Sequence, residues 1–247
     1  MNKNINIEAL PADSQDTVIN AGRKISLPAG IFYLLTFISI PTLSLYAPIH
    51  EPGFMLHPGN DNDIILGGIL EIIVALAGIA TAVILYPLLK RQNNTLALGL
   101  VASRVLEAGT MFAGVAFLLT AVGLHQNGAG ADAGEISHAL VTLYDRIFLL
   151  GQGFIPAIND LLLGVLLYRS RLVPRTLSVI GIAGALPLVA GYIAILFGFI
   201  DRISPLAGLA AVPVAVFEFS LGVYLLVKGF KPGSALLMQN EKLRVHE

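Results

Sequence analysis

Six apolar stretches, Leu27–Tyr46, Ile64–Leu89, Thr95–Leu124, His138–Tyr168, Thr176–Ile200 and Pro205–Val227, divide this chain, and the loops between them alternate in charge. A helix needs about 20 residues to cross a ~30 Å hydrocarbon core, and every stretch reaches that length. The expected fold is therefore all-α, a polytopic six-helix transmembrane bundle. Composition agrees: 13% of residues are charged and 55% hydrophobic, where a soluble domain carries about 25% charge. The six spans use most of the 247 residues, which leaves no room for a separate soluble domain. A net charge of −1 leaves no basic face for a nucleic acid, so that class of partner is excluded.

Lys and Arg concentrate in cytoplasmic loops, and here the distribution is one-sided. Arg23 and Lys24 precede the first span, Lys90 and Arg91 join spans two and three, and Arg169, Arg171 and Arg175 join spans four and five. Lys228, Lys231, Lys242 and Arg244 follow span six. Loops 47–63 and 125–137 hold no Lys or Arg, and the last loop holds only Arg202, beside Asp201. Both termini are expected in the cytoplasm, with the bundle in the plasma membrane. The expected divisions are a polar cytoplasmic segment over 1–24, a six-helix transmembrane domain over 25–230 and a short cytoplasmic tail over 231–247. The first segment lacks an apolar region of the kind a cleaved signal carries.

Span four is long for a perpendicular crossing, about 46 Å at helical rise. Gly151, Gly153 and Pro156 mark an expected kink within it, and Pro41, Pro187 and Pro213 mark others. Without tryptophan, any interfacial aromatic belt falls to tyrosines near span ends: Tyr46, Tyr86, Tyr168 and Tyr224.

Ionisable residues at bilayer depth cost at least ~2.5 kcal/mol each on insertion scales, so their positions are informative. Glu71 lies in span two, Arg104 and Glu107 on one face of span three, and Glu218 near the middle of span six. Span four carries Asp145 and Arg146 in its outer half and Asn159 and Asp160 in its inner half. Asp145, Gln152 and Asn159 recur at heptad spacing, as do Arg146, Gly153 and Asp160, which predicts one polar stripe roughly 20 Å long. Gly67, Ala75 and Gly78 flank Glu71, while Ala211, Ala215 and Gly222 flank Glu218. Such small residues allow close helix approach and should turn these acids into the bundle, toward the arginines. The candidate cluster is Glu71, Arg104, Glu107, Asp145, Arg146, Asp160 and Glu218. It reads either as an ion-pair network that fixes helix packing or as a hydrated path for protons or a small solute.

No catalytic, cofactor-binding or metal-ligating set is expected. Cysteine is absent, as are HExxH and GxSxG. Four histidines, His50, His57, His125 and His138, fall on the predicted outer side near Glu51, Asp61, Asp63, Asp132 and Glu135. Their spacing is not that of a compact metal site. The run Gly128–Ala131 reads as a flexible loop.

The segments Tyr168-Arg-Ser-Arg-Leu-Val-Pro-Arg175 and Leu225-Leu-Val-Lys-Gly-Phe230, with Arg104-Val-Leu-Glu-Ala108, Leu177, Gly181, Gly184, Pro213, Glu218 and Leu221, carry a resemblance. Over residues 25–230 the chain resembles the domain of unknown function family 4386, bacterial integral membrane proteins. The resemblance implies the six-span architecture and no particular activity. Thr176 departs from the aromatic expected there, and the Asn159–Asp160 pair is not part of the resemblance.

Three functions fit. One is a small transporter or channel-like protein built around the charged cluster. A second is a non-catalytic structural or accessory protein acting through the lipid bilayer, a second copy of itself or a membrane partner. The third is a lipid-acting intramembrane enzyme that pairs carboxylates such as Glu71 and Asp145.

Overall fold

The computed structural model describes residues 12–51, 53–56, 61–128, 132–234 and 236–237, with side chains from Gln15 onward. His57, most of the Gly128–Ala131 run, Lys242 and Arg244 lie outside the described residues. Among those described, all regular structure is helical. Helix α1 (Ala12–Leu35) passes through a 3₁₀ turn, Thr36–Ser39, into the single turn α2 (Thr42–Leu45). Then come α3 (Asp61–Leu89), α4 (Asn94–Gln126), α5 (Ala133–Phe148), a wide π-helical segment Leu149–Phe154, α6 (Ile155–Ser170), α7 (Arg175–Leu196) and α8 (Pro205–Val227). Six of these paths are long and apolar enough to cross a membrane.

The outer surface is that of a bundle in lipid. Leu66, Ile69, Leu76 and Val83 on α3 are exposed, as are Leu98, Val105, Leu106 and Phe112 on α4. In water such rows would be turned into a core; beside acyl chains they cost nothing. The buried face of α3 carries the small residues Gly67, Ala75 and Gly78 together with Glu71.

The helices form a ring in the order α1, α3, α4, α5–α6, α7, α8, with α8 returning to α1. The first turns of α1 and the end of α8 lie at one end of this ring, called here the basic end, where the cationic loops gather. Arg23 of α1 donates to the carbonyls of Leu225 (3.3 Å) and Leu226 (2.6 Å) at the end of α8, satisfying acceptors that a helix C-terminus leaves unpaired. Lys231 N donates to Leu172 O at 2.8 Å. Arg171 caps α6 in the left-handed region, at φ 56°, and Arg175 lies 4.8 Å over the Tyr168 ring. Leu85, Leu88, Leu100, Leu163, Phe217 and Leu221 pack inside this end as an apolar plug.

Gly30 makes the α1–α8 closure feasible. A Cβ there would stand 2.7 Å from Leu226 N and 2.8 Å from Gly222 O, so only glycine lets the two backbones touch. Past Thr36, α1 turns off α8, and its continuation packs on α3 instead.

Two expectations shift, and the kink expected in span four takes a definite form. The first helix begins at Ala12, inside the polar segment, because Val18, Ala21 and Gly22 supply a buried face. The tail does not leave the bundle directly after Gly233: Leu236 and Leu237 are buried, with Leu237 against Gly22. Span four bends through a widened turn, Leu149–Phe154, just before Pro156, where a missing N–H already weakens the helical ladder. Pro41 stands at the N-cap of α2, after α1 has ended at Leu35, whereas Pro187 and Pro213 lie within continuous helices.

Replacing Gly30 with Val should cost at least about 1–3 kcal/mol through overpacking. Gly109, whose Cβ position is open, should accept the same change. Thermal unfolding of the two detergent-solubilised variants measures the difference.

Candidate intramembrane site

Arg104 is the centre of the buried charge. It is 5% exposed, on the inward face of α4 one turn before Glu107. Its Nη1 donates to Glu107 Oε2 at 3.0 Å and its Nη2 to Glu218 Oε1, on α8, at 2.5 Å. Asn159 Nδ2, from α6, donates to the same Glu107 oxygen at 2.8 Å. The ring of Tyr33, from α1, lies 6.0 Å from the guanidinium carbon. One cation thus joins α4 to α8 directly, to α6 through Glu107 and Asn159, and to α1 through a ring face. In a medium with little water, such charge-assisted bonds are far from their screened surface counterparts.

Asp160, next to Asn159, is fully buried, and neither carboxyl oxygen has a hydrogen-bond partner among the described residues. Glu218, Arg104 and Glu107 are the charges that act on it. The inner group therefore holds three carboxyl groups around one guanidinium.

A second group lies nearer the far end, opposite the basic one. Glu71 is 1% exposed and accepts a 2.8 Å hydrogen bond from Tyr144 Oη. Tyr46 and Gln152 stand beside the same carboxyl, and the Tyr46 and Tyr144 rings meet edge to face at 5.4 Å. The Tyr46 ring occupies the space a Cβ at Gly67 would need. Tyr46 is thus buried beside this acid, not a member of an interfacial belt. Tyr86 and Tyr168 do sit at the basic end, against Lys90 and Arg175.

A third set forms the far-end rim. Asp145 Oδ1 meets Arg202 Nη2 at 2.9 Å and His50 Nε2 at 3.2 Å, and Arg202 also lies over the Phe148 ring at 5.1 Å. This joins the first connection, α5 and the α7–α8 turn. The hydrogen bond to Asp145 raises the proton affinity of His50 above its ordinary value, with the Tyr46 carbonyl assisting and burial and Arg202 opposing. Arg146, expected in the cluster, is instead exposed and makes no ion pair among the described residues. Its place is taken by Arg202, which the sequence showed only as a loop residue beside Asp201. The widened turn after Phe148 accounts for this, since it breaks the heptad on which the Arg146–Gly153–Asp160 line depended. Asp145 and Glu71 are not paired with each other: Tyr144 holds one and Arg202 the other.

Between the inner group and the far end lies a cavity of about 260 Å³. Arg104, Glu107 and Glu218 line its floor, Gln152 and Tyr192 its far side, and Ala211 and Ala215 its α8 wall. Ala211 and Ala215, small on the cavity side of α8, leave this space open. A Cβ at Gly153 would collide with the Tyr192 ring, so glycine seats that tyrosine on the wide turn. Of the histidines, His125 meets Asp61 (2.8 Å) and stacks near Phe54. His50 and His138 line a separate far-end pocket with His125. No group of three or more metal-binding side chains occurs among the described residues.

Removing Arg104 leaves buried carboxylates without their cation, so Arg104→Gln should lose about 3–5 kcal/mol. Arg146→Gln should stay within about 0.5 kcal/mol. Denaturation midpoints in one detergent compare them. The His50–Asp145 link stabilises the fold fully below the ordinary histidine value near 6.5 and is lost as pH rises through the elevated folded value. The wild-type advantage over His50→Gln in thermal unfolding should accordingly be larger at about pH 5.5 than at about pH 8.5.

No curated protein and no solved structure matches the chain. Residues 28–229 match the family described as Domain of unknown function (DUF4386), and the chain belongs to that family.

Proposed function

We propose that this protein is a small transporter that carries protons or a small protonatable solute, with the Arg104–Glu107–Glu218 group as its binding floor. One observation carries the reading: the buried ion group is not sealed on every side but forms the floor of a cavity of about 260 Å³. Below the floor, Leu85, Leu100, Leu163 and Phe217 form an apolar plug. A carboxylate that is reached from one side and barred from the other has the geometry of one state of an alternating-access cycle. By the loop charges the plug faces the cytoplasm of a bacterial cell and the cavity faces outward. Glu218 is the group to load and unload. It stands at the cavity wall with 15% of its side chain exposed, and only its Oε1 is engaged by Arg104.

A second reading rests on the direct contacts themselves. Arg104 is held by two carboxylates, as a packing clamp would be, and a clamp needs no cargo.

The native chain has no cysteine, so single-cysteine variants report cleanly. In liposomes, Ala215→Cys should react with a neutral water-soluble maleimide, and Ala185→Cys, buried against α8, should not. With a pH-sensitive dye inside and an imposed potential, wild-type protein should admit protons faster than protein-free liposomes, and Glu218→Gln should fall to their rate. An unreactive Ala215→Cys, with equal proton entry for wild type and Glu218→Gln, would establish the clamp instead.

A further inference from the structure

The cavity has a side opening that faces lipid. At the basic end the ring of helices is closed, because α1 and α8 touch backbone to backbone at Gly30 and Gly222. Beyond Leu35 the first span changes to a 3₁₀ turn and leans onto α3. The edge-to-face contact of Phe37 with Phe219, at 5.3 Å, marks the level where α1 and α8 part. Ile40 on one side of the gap is 67% exposed, and Ala215 on the other is also exposed. Both nonetheless line the same cavity as Arg104 and Glu218. A residue that is both on the surface and on the cavity wall marks the mouth.

The depth of that mouth follows from helix lengths. The basic ends of α6 and α8 are held level by the Lys231–Leu172 bond. The 22 residues of α7 and 23 of α8 reach about 33–35 Å at helical rise, little more than the ~30 Å hydrocarbon core. Their connecting turn is apolar and uncovered, with Phe197, Phe199 and Ile203 between 73% and 81% exposed, which suits a lipid interface and not open water. Ala215 lies ten residues below the start of α8, about 15 Å into the hydrocarbon. Acyl chains therefore pass the mouth, while the polar atoms of Thr36, Ser39 and Gln152 line the way inward.

We infer that the cargo is a membrane-soluble amphiphile with a cationic amine head, entering sideways between α1 and α8. This rests on the transporter reading above and names its substrate class. The apolar part would remain between Phe37, Ile40 and Val214, in contact with lipid. The head would reach Glu218, whose group carries three carboxyls against one guanidinium, an imbalance that favours an added cation. A purely water-soluble solute would have no use for a mouth below the lipid surface.

The test is protection of the Ala215→Cys variant in lipid nanodiscs from the neutral maleimide. Dodecylamine should slow labelling by a factor of 1 + [L]/Kd, roughly tenfold at ten times Kd. Dodecanoate and ethylamine at the same concentrations should not, and Glu218→Gln in the same background should abolish the protection. A cysteine at exposed Gly128 should label at an unchanged rate, which separates site occupancy from a change in surface charge. Equal protection by dodecanoate would overturn the cationic head, and equal protection by ethylamine would overturn lateral entry. Labelling of Ala215→Cys with no protection by dodecylamine sinks the amphiphile but leaves the transporter reading standing. A failure of Ala215→Cys to label at all sinks both.

Discussion

The fold depends on one cation placed where water is scarce. Arg104 alone on α4 would be costly at this depth, and so would Glu107 or Glu218. Together they oblige α4, α6, α8 and α1 to meet in one arrangement, because each charge has its partner on another element or on the adjoining helical turn. Apolar packing between membrane helices lacks the driving force it has in water, since acyl chains solvate leucine as well as another helix does. A directional, poorly screened ion group then does what a hydrophobic core does elsewhere: it selects one register. The small residues opposite it, Gly30 and Gly222 above all, permit the approach that the charges demand.

The same small residues act in two ways along one helix. Gly222 lets α8 touch α1. Ala215 and Ala211, about two and three turns farther on, no longer face α1 and line the cavity instead. The difference arises at Thr36, where α1 changes to a tighter turn and swings toward α3. Small side chains facing a departing neighbour make space; facing a close one they make contact. The charged floor, the polar wall and the lipid-level mouth all follow from that divergence.

Much of this was legible in the sequence. Span number, helical class and the inward direction of Glu71, Arg104, Glu107, Asp160 and Glu218 followed from length, spacing and the cost of burying charge. What escaped was set by local backbone change. Periodicity assumes a constant helical turn, so the widened segment Leu149–Phe154 displaced Arg146 from the stripe and left its role at the rim to Arg202. Tyr46, near a span end, reads as an interfacial aromatic. Only the fold of the first connection, which drops Tyr46 onto Gly67, sets it against Tyr144 and beside Glu71. The cavity was likewise out of reach, because no pattern in the sequence distinguishes an alanine that packs from one that stands aside.

The central claim is that the Arg104–Glu107–Glu218 group is the floor of an open cavity and not the interior of a closed clamp. A cryo-electron microscopy map of the protein in a lipid nanodisc tests it most directly. A separation of α1 from α8 beyond Phe37 and Phe219, with non-protein density reaching from that mouth to Glu218, is the expected result. A straight first helix packed along Ala211 and Ala215, with no space above Arg104, would contradict it.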